Sequence, residues 1–310
     1  MGRITSLLCF FLLLKLQGIA QEEIPGFNPS PKPWHTEDIE KLSPLQRYED
    51  SLVHVADSVY TNDIPEIKEN ANADLIRLFK ATIKTPGSFN YTFSKLKDYI
   101  SILDAPDKSF RIYNWEYLRT EGYSRYYGVI QKPDGGIIPL VDISDKIIRG
   151  AEDSIFNSAS YRWFGCLYYN LIMREVAGQP VYFIFGRNSN NLNSDKKIIE
   201  PLSFNAKGEA LFGAPVFTTL ERGVRKTPNR FIYEYQRGSV LSLNFDPETN
   251  QIIFDHCESQ IGDPAKKFTY IPDGTYDGMR WDGAQWVMQE NIVSIQTLQN
   301  GEAPVEKPIK

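Results

Sequence analysis

From Phe110 onward the chain is cut into short runs of aromatic and β-branched residues, each closed by Gly, Pro, Asn or Asp. FRIYNWEY, RYYGVIQK, GIIPLVDI, CLYYNLIMREV, VYFIFGR, KIIEPLSF, APVFTT, RFIYEYQ, SVLSLNF and QIIFDHC read as strands, with a closing pair around Trp281 and Trp286. Residues of this kind fit a pleated, half-buried surface. The links between the runs are short: Lys132-Pro133-Asp134-Gly135, Ala177-Gly178-Gln179-Pro180, Asn205-Ala206-Lys207-Gly208 and Asp246-Pro247-Glu248-Thr249-Asn250. Parallel neighbours need a crossover of about a dozen residues or more, so short links favour antiparallel pairing. No exact internal repeat is visible. The expected product is an antiparallel meander, arranged as a sandwich, an open barrel or propeller-like sheets.

Helical periodicity precedes the strands. Ser43 and Pro44 make a cap and first turn, after which Leu45, Tyr48, Leu52, Val55 and Val59 recur at helical spacing. A second amphipathic helix is predicted over 65–84, with Ile67, Ala71, Leu75, Leu78, Phe79 and Ile83 near one stripe, and Thr85-Pro86-Gly87 stops it. A third, shorter helix is predicted over 92–103, with Phe93, Leu96, Ile100 and Leu103 inward. The fold class is α+β: a helical region over 37–105, a mainly antiparallel β domain over 106–297, and a flexible tail over 298–310.

Residues 1–20, MGRITSLLCFFLLLKLQGIA, read as a secretory signal peptide. Arg3 supplies the positive start, Leu7 to Leu14 the apolar run, and Gly18 and Ala20 the small residues of a cleavage site. That run falls well short of the ~20 residues a membrane-spanning helix needs. Residues 21–36 hold four prolines and read as an extended leader. Export to the periplasm or beyond is expected, with no membrane-spanning segment after cleavage. Residues 1–20 contain Arg3 and Lys15 and no acid, so their removal takes the formal charge from -5 to -7. An acidic chain makes a poor nucleic-acid partner, because that affinity comes largely from Lys and Arg meeting phosphates. Cys166 and Cys257 remain, either as a disulfide suited to an oxidising compartment or as two buried thiols packed like small apolar side chains.

The runs RIYNWEY, YFIFGRNSNN, KKIIEPLSFNAKGEALFGAPVF, RFIYEYQ, SLNFDPETNQIIFDH and PDGTYDGMRWDGAQWVMQE resemble a group of uncharacterised exported proteins of Bacteroidota bacteria. The resemblance covers most of residues 21–310, including the helices and KTPGSFNY. It implies export and a shared fold. It carries no established activity, so it transfers no site residues.

Counted from Asp273, the residues Asp273, Thr275, Asp277 and Gly278 occupy positions 1, 3, 5 and 6 of a calcium loop, but position 12 is Ala284. The three Asp-Gly pairs of YIPDGTYDGMRWDGAQW read better as turns, and Asp282-Gly283 as a two-residue hairpin turn that puts Met279, Trp281, Ala284 and Trp286 on one face. The sets Asn191, Asn193, Asp195 and Asp246, Glu248, Asn250 likewise alternate oxygen ligands without a completing acid. Neighbouring strand residues point to opposite faces, so the adjacent His256-Cys257 is no dyad; His35 and His54 join no HExxH or CxxC. The expectation is therefore no metal and no cofactor.

Two function classes stay open. The preferred one is non-enzymatic binding or support at the cell envelope, with a glycan or envelope protein as partner. Its binding loop is the long polar segment carrying Asn188, Asn190, Asn191, Asn193 and Asp195. The alternative is a polysaccharide hydrolase using paired carboxylates drawn from Glu116, Glu121, Asp142 and Glu234. Its sugar platform would come from Tyr113, Trp115, Tyr117, Tyr123, Tyr126 and Tyr127. The bland counterpart is that aromatics fill a β core while acids solvate its rim.

Overall fold

The computed structural model of the chain describes residues 42–119, 123–147, 150–160, 162–221 and 223–293. The expectations for 1–36, for 298–310 and for Glu121 lie outside those residues. From Ser43 onward the described residues belong to one compact unit. Two helices come first, α1 (Pro44–Thr61) and α2 (Pro65–Thr82). The strands then run β1 (Ser101–Asp104), β2 (Arg111–Leu118), β3 (Ser124–Gln131), β4 (Ile137–Val141) and β5 (Phe156–Asn157). Next come β6 (Leu167–Val176), β7 (Gln179–Asn188), β8 (Ser194–Phe204), β9 (Ala210–Phe212) and β10 (Phe217–Glu221). The last are β11 (Val224–Lys226), β12 (Phe231–Gln236), β13 (Leu243–Asp246), β14 (Gln251–Ser259), β15 (Tyr270–Trp281) and β16 (Trp286–Val293).

Helix α1 starts where the sequence places its cap. The Ser43 hydroxyl accepts the Gln46 N–H at 3.3 Å, and the Gln46 side chain accepts the Ser43 N–H at 2.8 Å, a reciprocal capping box. Its buried stripe is Glu49, Leu52, Ala56 and Val59; that of α2 is Asn72, Leu75, Phe79 and Thr82. Both stripes carry a polar residue with a fixed partner. The Asn72 carbonyl oxygen accepts the Trp115 indole N–H at 3.0 Å. Glu49 accepts from the Tyr91 hydroxyl at 2.7 Å and from the N–H groups of Lys95 and Leu96 at 2.8 and 3.3 Å.

Those bonds bear on the third helix, which does not form. Residues 92–103 hold one 3-10 turn, Leu96–Asp98, followed by β1. Phe93 sits at a left-handed φ of 47°, which a helix cannot continue through, and Glu49 pins the backbone just after it. Phe93, Leu96 and Ile100 are nonetheless buried, as the periodicity predicts.

The strands build three stacked open sheets, mostly antiparallel. The first is ordered β1-β2-β3-β4, the second β5-β9-β8-β7-β6 with β12 also on β8, and the third β11-β10-β16-β15-β14-β13. The pair β10 and β16 is parallel, joining Phe217 to Trp286. Side-chain alternation assigns each face. On β2, Tyr113, Trp115 and Tyr117 pack with Leu52, Val59, Leu75 and Phe79 of the helices, whereas Ile112 points the other way. There Ile112, Tyr126, Ile130 and Leu140 meet Tyr168, Tyr182, Ile184, Ile198 and Leu202 of the second sheet. The far face of that sheet presents Val181, Phe183, Phe185 and Ile199 to Ile252, Phe254, Met279 and Trp286 of the third. The layers are helix, sheet, sheet, sheet. A middle sheet covered on both faces explains why VYFIF is apolar without alternation, each such side chain contributing about 1.5–3 kcal/mol on burial.

The Asp-Gly pairs correct the turn reading. β15 runs unbroken through Asp273-Gly274 and Asp277-Gly278, so of the three pairs only Asp282-Gly283 lies in a turn. The other two fall at register shifts of the ladder, between Asp255 and Cys257 on one side and between Tyr276 and Gly278 on the other. Gly274 takes a φ of +91°, and a Cβ on Gly278 would stand 2.7 Å from Ile292 Cδ1 and 3.0 Å from the Ile252 carbonyl. Asp273-Gly274 lies in a bulge of β15. At the second shift the extra residues belong to β16, and Gly278 stays paired with Ile253 and Gln289, its lack of a side chain serving the close approach.

The hairpin loop spans four residues, not two. Asp282 Oδ1 accepts the N–H groups of Ala284 and Gln285 at 2.8 Å each, and Gly283 has a φ of +106° while Asp282 does not adopt positive φ. A two-residue type I′ turn needs positive φ at both central residues, so the side-chain-capped loop wins. Trp281 consequently opposes Trp286, Arg280 opposes Val287 and Met279 opposes Met288. Trp281 and Trp286 share a face, as expected, with ring centroids 5.3 Å apart. Gln285 leaves the ladder, and its side-chain carbonyl accepts from Thr218 Oγ1 at 2.7 Å.

Candidate functional site

A cleft of about 710 Å³ opens where the hairpin ends of the first and second sheets meet. Arg119 and Tyr123 enter from the β2–β3 connection, Ser124 and Arg125 from the start of β3, and Asp142, Ser144, Asp145 and Ile147 from the segment after β4. Asn188, Ser189, Asn190 and Asn191 come from the end of β7 and the loop to β8, Lys196 from β8 and Glu234 from β12.

The wall is held by a chain of hydrogen bonds. The Tyr126 hydroxyl accepts the Ser189 N–H at 2.6 Å and donates to Glu116 Oε1 at 3.2 Å. Burial, then the Glu116 charge, pushes the Tyr126 phenol far above its ordinary range, so it stays a donor. Asp142 is the principal staple. Its Oδ1 accepts the N–H groups of Ser144 and Gly165 at 2.8 and 3.1 Å, and its Oδ2 that of Tyr126 at 3.0 Å. Gly165 is required there, because a Cβ would fall 2.2 Å from Asp142 Oδ1. Burial raises the Asp142 carboxyl above the usual carboxylate value despite those donors.

The nominated loop is divided by the structure. Asn188, Asn190 and Asn191 line the cleft; Asn193 and Asp195 do not. Asn188 is buried and donates to the Gly165 carbonyl, tying the loop to the Asp142 staple. Asn190 Nδ2 donates to Ser194 Oγ at 2.8 Å and to Glu234 Oε1 at 3.3 Å, while Ser194 Oγ donates to the same oxygen at 2.6 Å. Asn191 caps the turn by accepting from the Asn193 and Ser194 N–H groups. Asn193 is left at the exposed tip of that turn. Asp195 points to the opposite face of β8 from Lys196 and is held by Arg187 and Arg237 at 3.4 and 3.2 Å.

The carboxylates and aromatics are sorted in the same way. Asp142 and Glu234 reach the cleft, but Glu116 does not line it. Asp142 spends both oxygens on backbone N–H groups, which makes it a scaffold and a poor acid–base group. Tyr113, Trp115, Tyr117 and Tyr126 are core residues, and Tyr127 stacks on Trp115 at 5.5 Å; only Tyr123, 49% exposed, stands in the cleft. Arg125, Asp145 and Lys196 were not foreseen. Isolated surface charges carry no local signal of the cleft they will share.

Cys166 and Cys257 are both free and buried, so the disulfide alternative fails. Cys166 packs between the first and second sheets and Cys257 between the second and third. A whole sheet separates them. Burial pushes the Cys257 thiol up to about 12.

Among the described residues one grouping of side chains has the donors for a metal ion: His256 and Glu258 on β14 with Asp273 on β15. The spacing His-x-Glu on a strand was the available clue, since residues i and i+2 share a face. No helix among the described residues is long and apolar enough to cross a membrane. No protein-family model, curated protein or solved structure matches the chain.

Proposed function

We propose that this protein is an exported, non-catalytic binding protein whose cleft takes a hydroxyl-rich ligand, a glycan of the envelope or its surroundings. The observation that carries the reading is the composition of the cleft wall: side-chain amides of Asn190 and Asn191, cations at Arg125 and Lys196, acids at Asp145 and Glu234, and one exposed ring at Tyr123. Amides, guanidinium and carboxylate groups at close quarters match the paired donors and acceptors of neighbouring sugar hydroxyls. An aromatic face covers the apolar side of a pyranose, and a polar tip keeps the ring at home in water. The mixed signs argue against a strongly charged ligand. The commitment of Asp142 to three backbone donors argues against the paired-carboxylate hydrolase. The signal-like residues 1–20 and the resemblance to exported proteins support the export half, which a mature N-terminus at Gln21 tests.

Calorimetry of the mature chain against a panel of bacterial and plant oligosaccharides tests the binding half. At least one glycan is expected to bind, with Tyr123→Ala and Asn190→Ala each weakening it about tenfold at unchanged melting temperature. Binding unaffected by either substitution, or no binding across the panel, overturns the assignment. Release of new reducing ends, abolished by Glu234→Gln, would establish the hydrolase instead.

A further inference from the structure

We propose that β14 and β15 carry a site for one divalent transition-metal ion of the zinc type, ligated by His256 Nε2, a Glu258 carboxylate oxygen and Asp273 Oδ2.

The donor atoms of His256, Glu258 and Asp273 all lie within 4.8 Å of one another. Two features of the backbone put them there. His256 and Glu258 are two apart on β14 and so share a face, with Cys257 turned inward between them. The register then shifts between Asp255 and Cys257, and the additional β15 residues bring Asp273 alongside His256.

The orientation of the ring is fixed by a residue outside the ligand set. His256 Nδ1 lies 2.8 Å from Asp277 Oδ2, and Asp277 is buried, with its other oxygen accepting the Asn291 N–H at 3.0 Å. A carboxylate can only accept, so Nδ1 carries a proton and Nε2, which faces outward, is the nitrogen that offers a lone pair in the neutral ring. Nε2 stands 4.0 Å from Asp273 Oδ2, beyond hydrogen-bond reach. Asp273 Oδ1 is already taken by the Thr275 N–H and hydroxyl at 2.9 and 2.8 Å, which leaves Oδ2 as the available ligand. A buried carboxylate holding the far nitrogen of an imidazole whose near nitrogen faces two more donors is the supporting arrangement of metal-bound histidines.

The donor set selects the ion. Calcium and magnesium prefer all-oxygen shells, whereas one imidazole with two carboxylates suits zinc and its neighbours. Donors about 2.1 Å from a tetrahedral ion stand roughly 3.4 Å apart, so closure requires Glu258 and Asp273 to move by about an ångström. Both are exposed and free of the core. Three protein ligands leave a fourth position to solvent.

Calorimetric titration of the chelator-treated mature chain with zinc chloride, and with magnesium chloride in parallel, tests the site. One zinc per chain is expected, with magnesium binding far more weakly. Glu258→Gln and Asp273→Asn should each weaken zinc at least tenfold, and His256→Ala more, while His54→Ala on α1 leaves it unchanged. Because Glu258 and Asp273 are exposed, their variants carry the test even if His256→Ala folds poorly. Absence of saturable zinc binding up to about 1 mM, or equal affinity in the Glu258 and Asp273 variants, overturns the proposal.

Discussion

Arg230 and Glu200 lie against each other with no solvent access to either side chain. The guanidinium donates from Nε to both carboxylate oxygens, at 3.1 and 3.0 Å, and from a terminal nitrogen to Oε1 at 2.6 Å. Its other arm donates to the carbonyls of Ala151 and Ser154, and the ring of Phe156 lies under it at 4.6 Å. Glu200 stands on β8 between Ile198 and Leu202, so the pair fastens the segment around 151–156 to the middle sheet.

A buried pair is costly to break and much less costly to replace whole, because removing one partner strands the other charge in the core. Arg230→Met is expected to destabilise by about 3–5 kcal/mol, and the double variant Arg230→Met, Glu200→Leu to recover a large part of that loss. Urea denaturation of the two variants and the wild type measures it. Equal losses in single and double variants would show that the carbonyl contacts of Arg230, rather than its charge pairing, dominate.

Acid sensitivity is assigned to a different pair. Arg111 Nε meets Asp104 Oδ1 at 2.5 Å and its terminal nitrogen meets Oδ2 at 3.2 Å, across the β1–β2 ladder. Burial alone would raise the Asp104 carboxyl, but the hydrogen bond and charge of Arg111 outweigh it and hold the group below its ordinary value. A carboxyl depressed in the folded state adds stability above its unfolded pKa, and that stability is lost as pH falls through the folded value. Asp104→Asn should therefore melt below wild type at neutral pH, with the gap closing below about pH 4. A gap of constant size from neutral pH to acid would assign the acid sensitivity elsewhere.

The closing hairpin separates packing from turn chemistry. Trp286 is fully buried against Phe183, Phe245 and Trp281, at centroid distances of 5.9, 6.3 and 5.3 Å. Trp286→Ala is expected to cost about 3–5 kcal/mol. Asp282→Ala removes only two side-chain acceptances on an exposed loop and should cost about 1 kcal/mol. Trp281, partly buried, falls between them. Chemical denaturation ranks the three variants, and an Asp282→Ala loss matching that of Trp286 would contradict the assignment.

Much of this architecture is legible in the sequence alone. Ser43-Pro44 announced α1, and the runs FRIYNWEY, RYYGVIQK and VYFIFGR became β2, β3 and β7 with ends shifted by one or two residues. Caps, turns and apolar runs are local, and local sterics decide them. The misses also have causes. Four short strands, β1, β5, β9 and β11, are held by their neighbours and carry too few residues for a period. The predicted helix over 92–103 lost to Glu49, a residue more than forty positions earlier.

Within the cleft, Asn188, Asn190 and Asn191 were nominated from loop length and polarity alone, and they do line it. Nothing local distinguished them from Asn193 and Asp195. Sequence by itself determined the two long helices, most of the longer strands, the faces that are apolar and where most hairpins turn, because those follow from spacing and backbone preference. Only the tertiary structure decided that Asp142 is a staple, that Cys166 and Cys257 stand on opposite sides of a sheet, and that His256 faces Asp273. A carboxylate, thiol or imidazole takes its role from the partner that folding sets beside it, and for Asp142 and Gly165 or His256 and Asp277 that partner is some twenty residues away. The physical reason is range: backbone preferences act over a few residues, whereas desolvation and hydrogen-bond pairing depend on whatever chain is packed within a few ångströms.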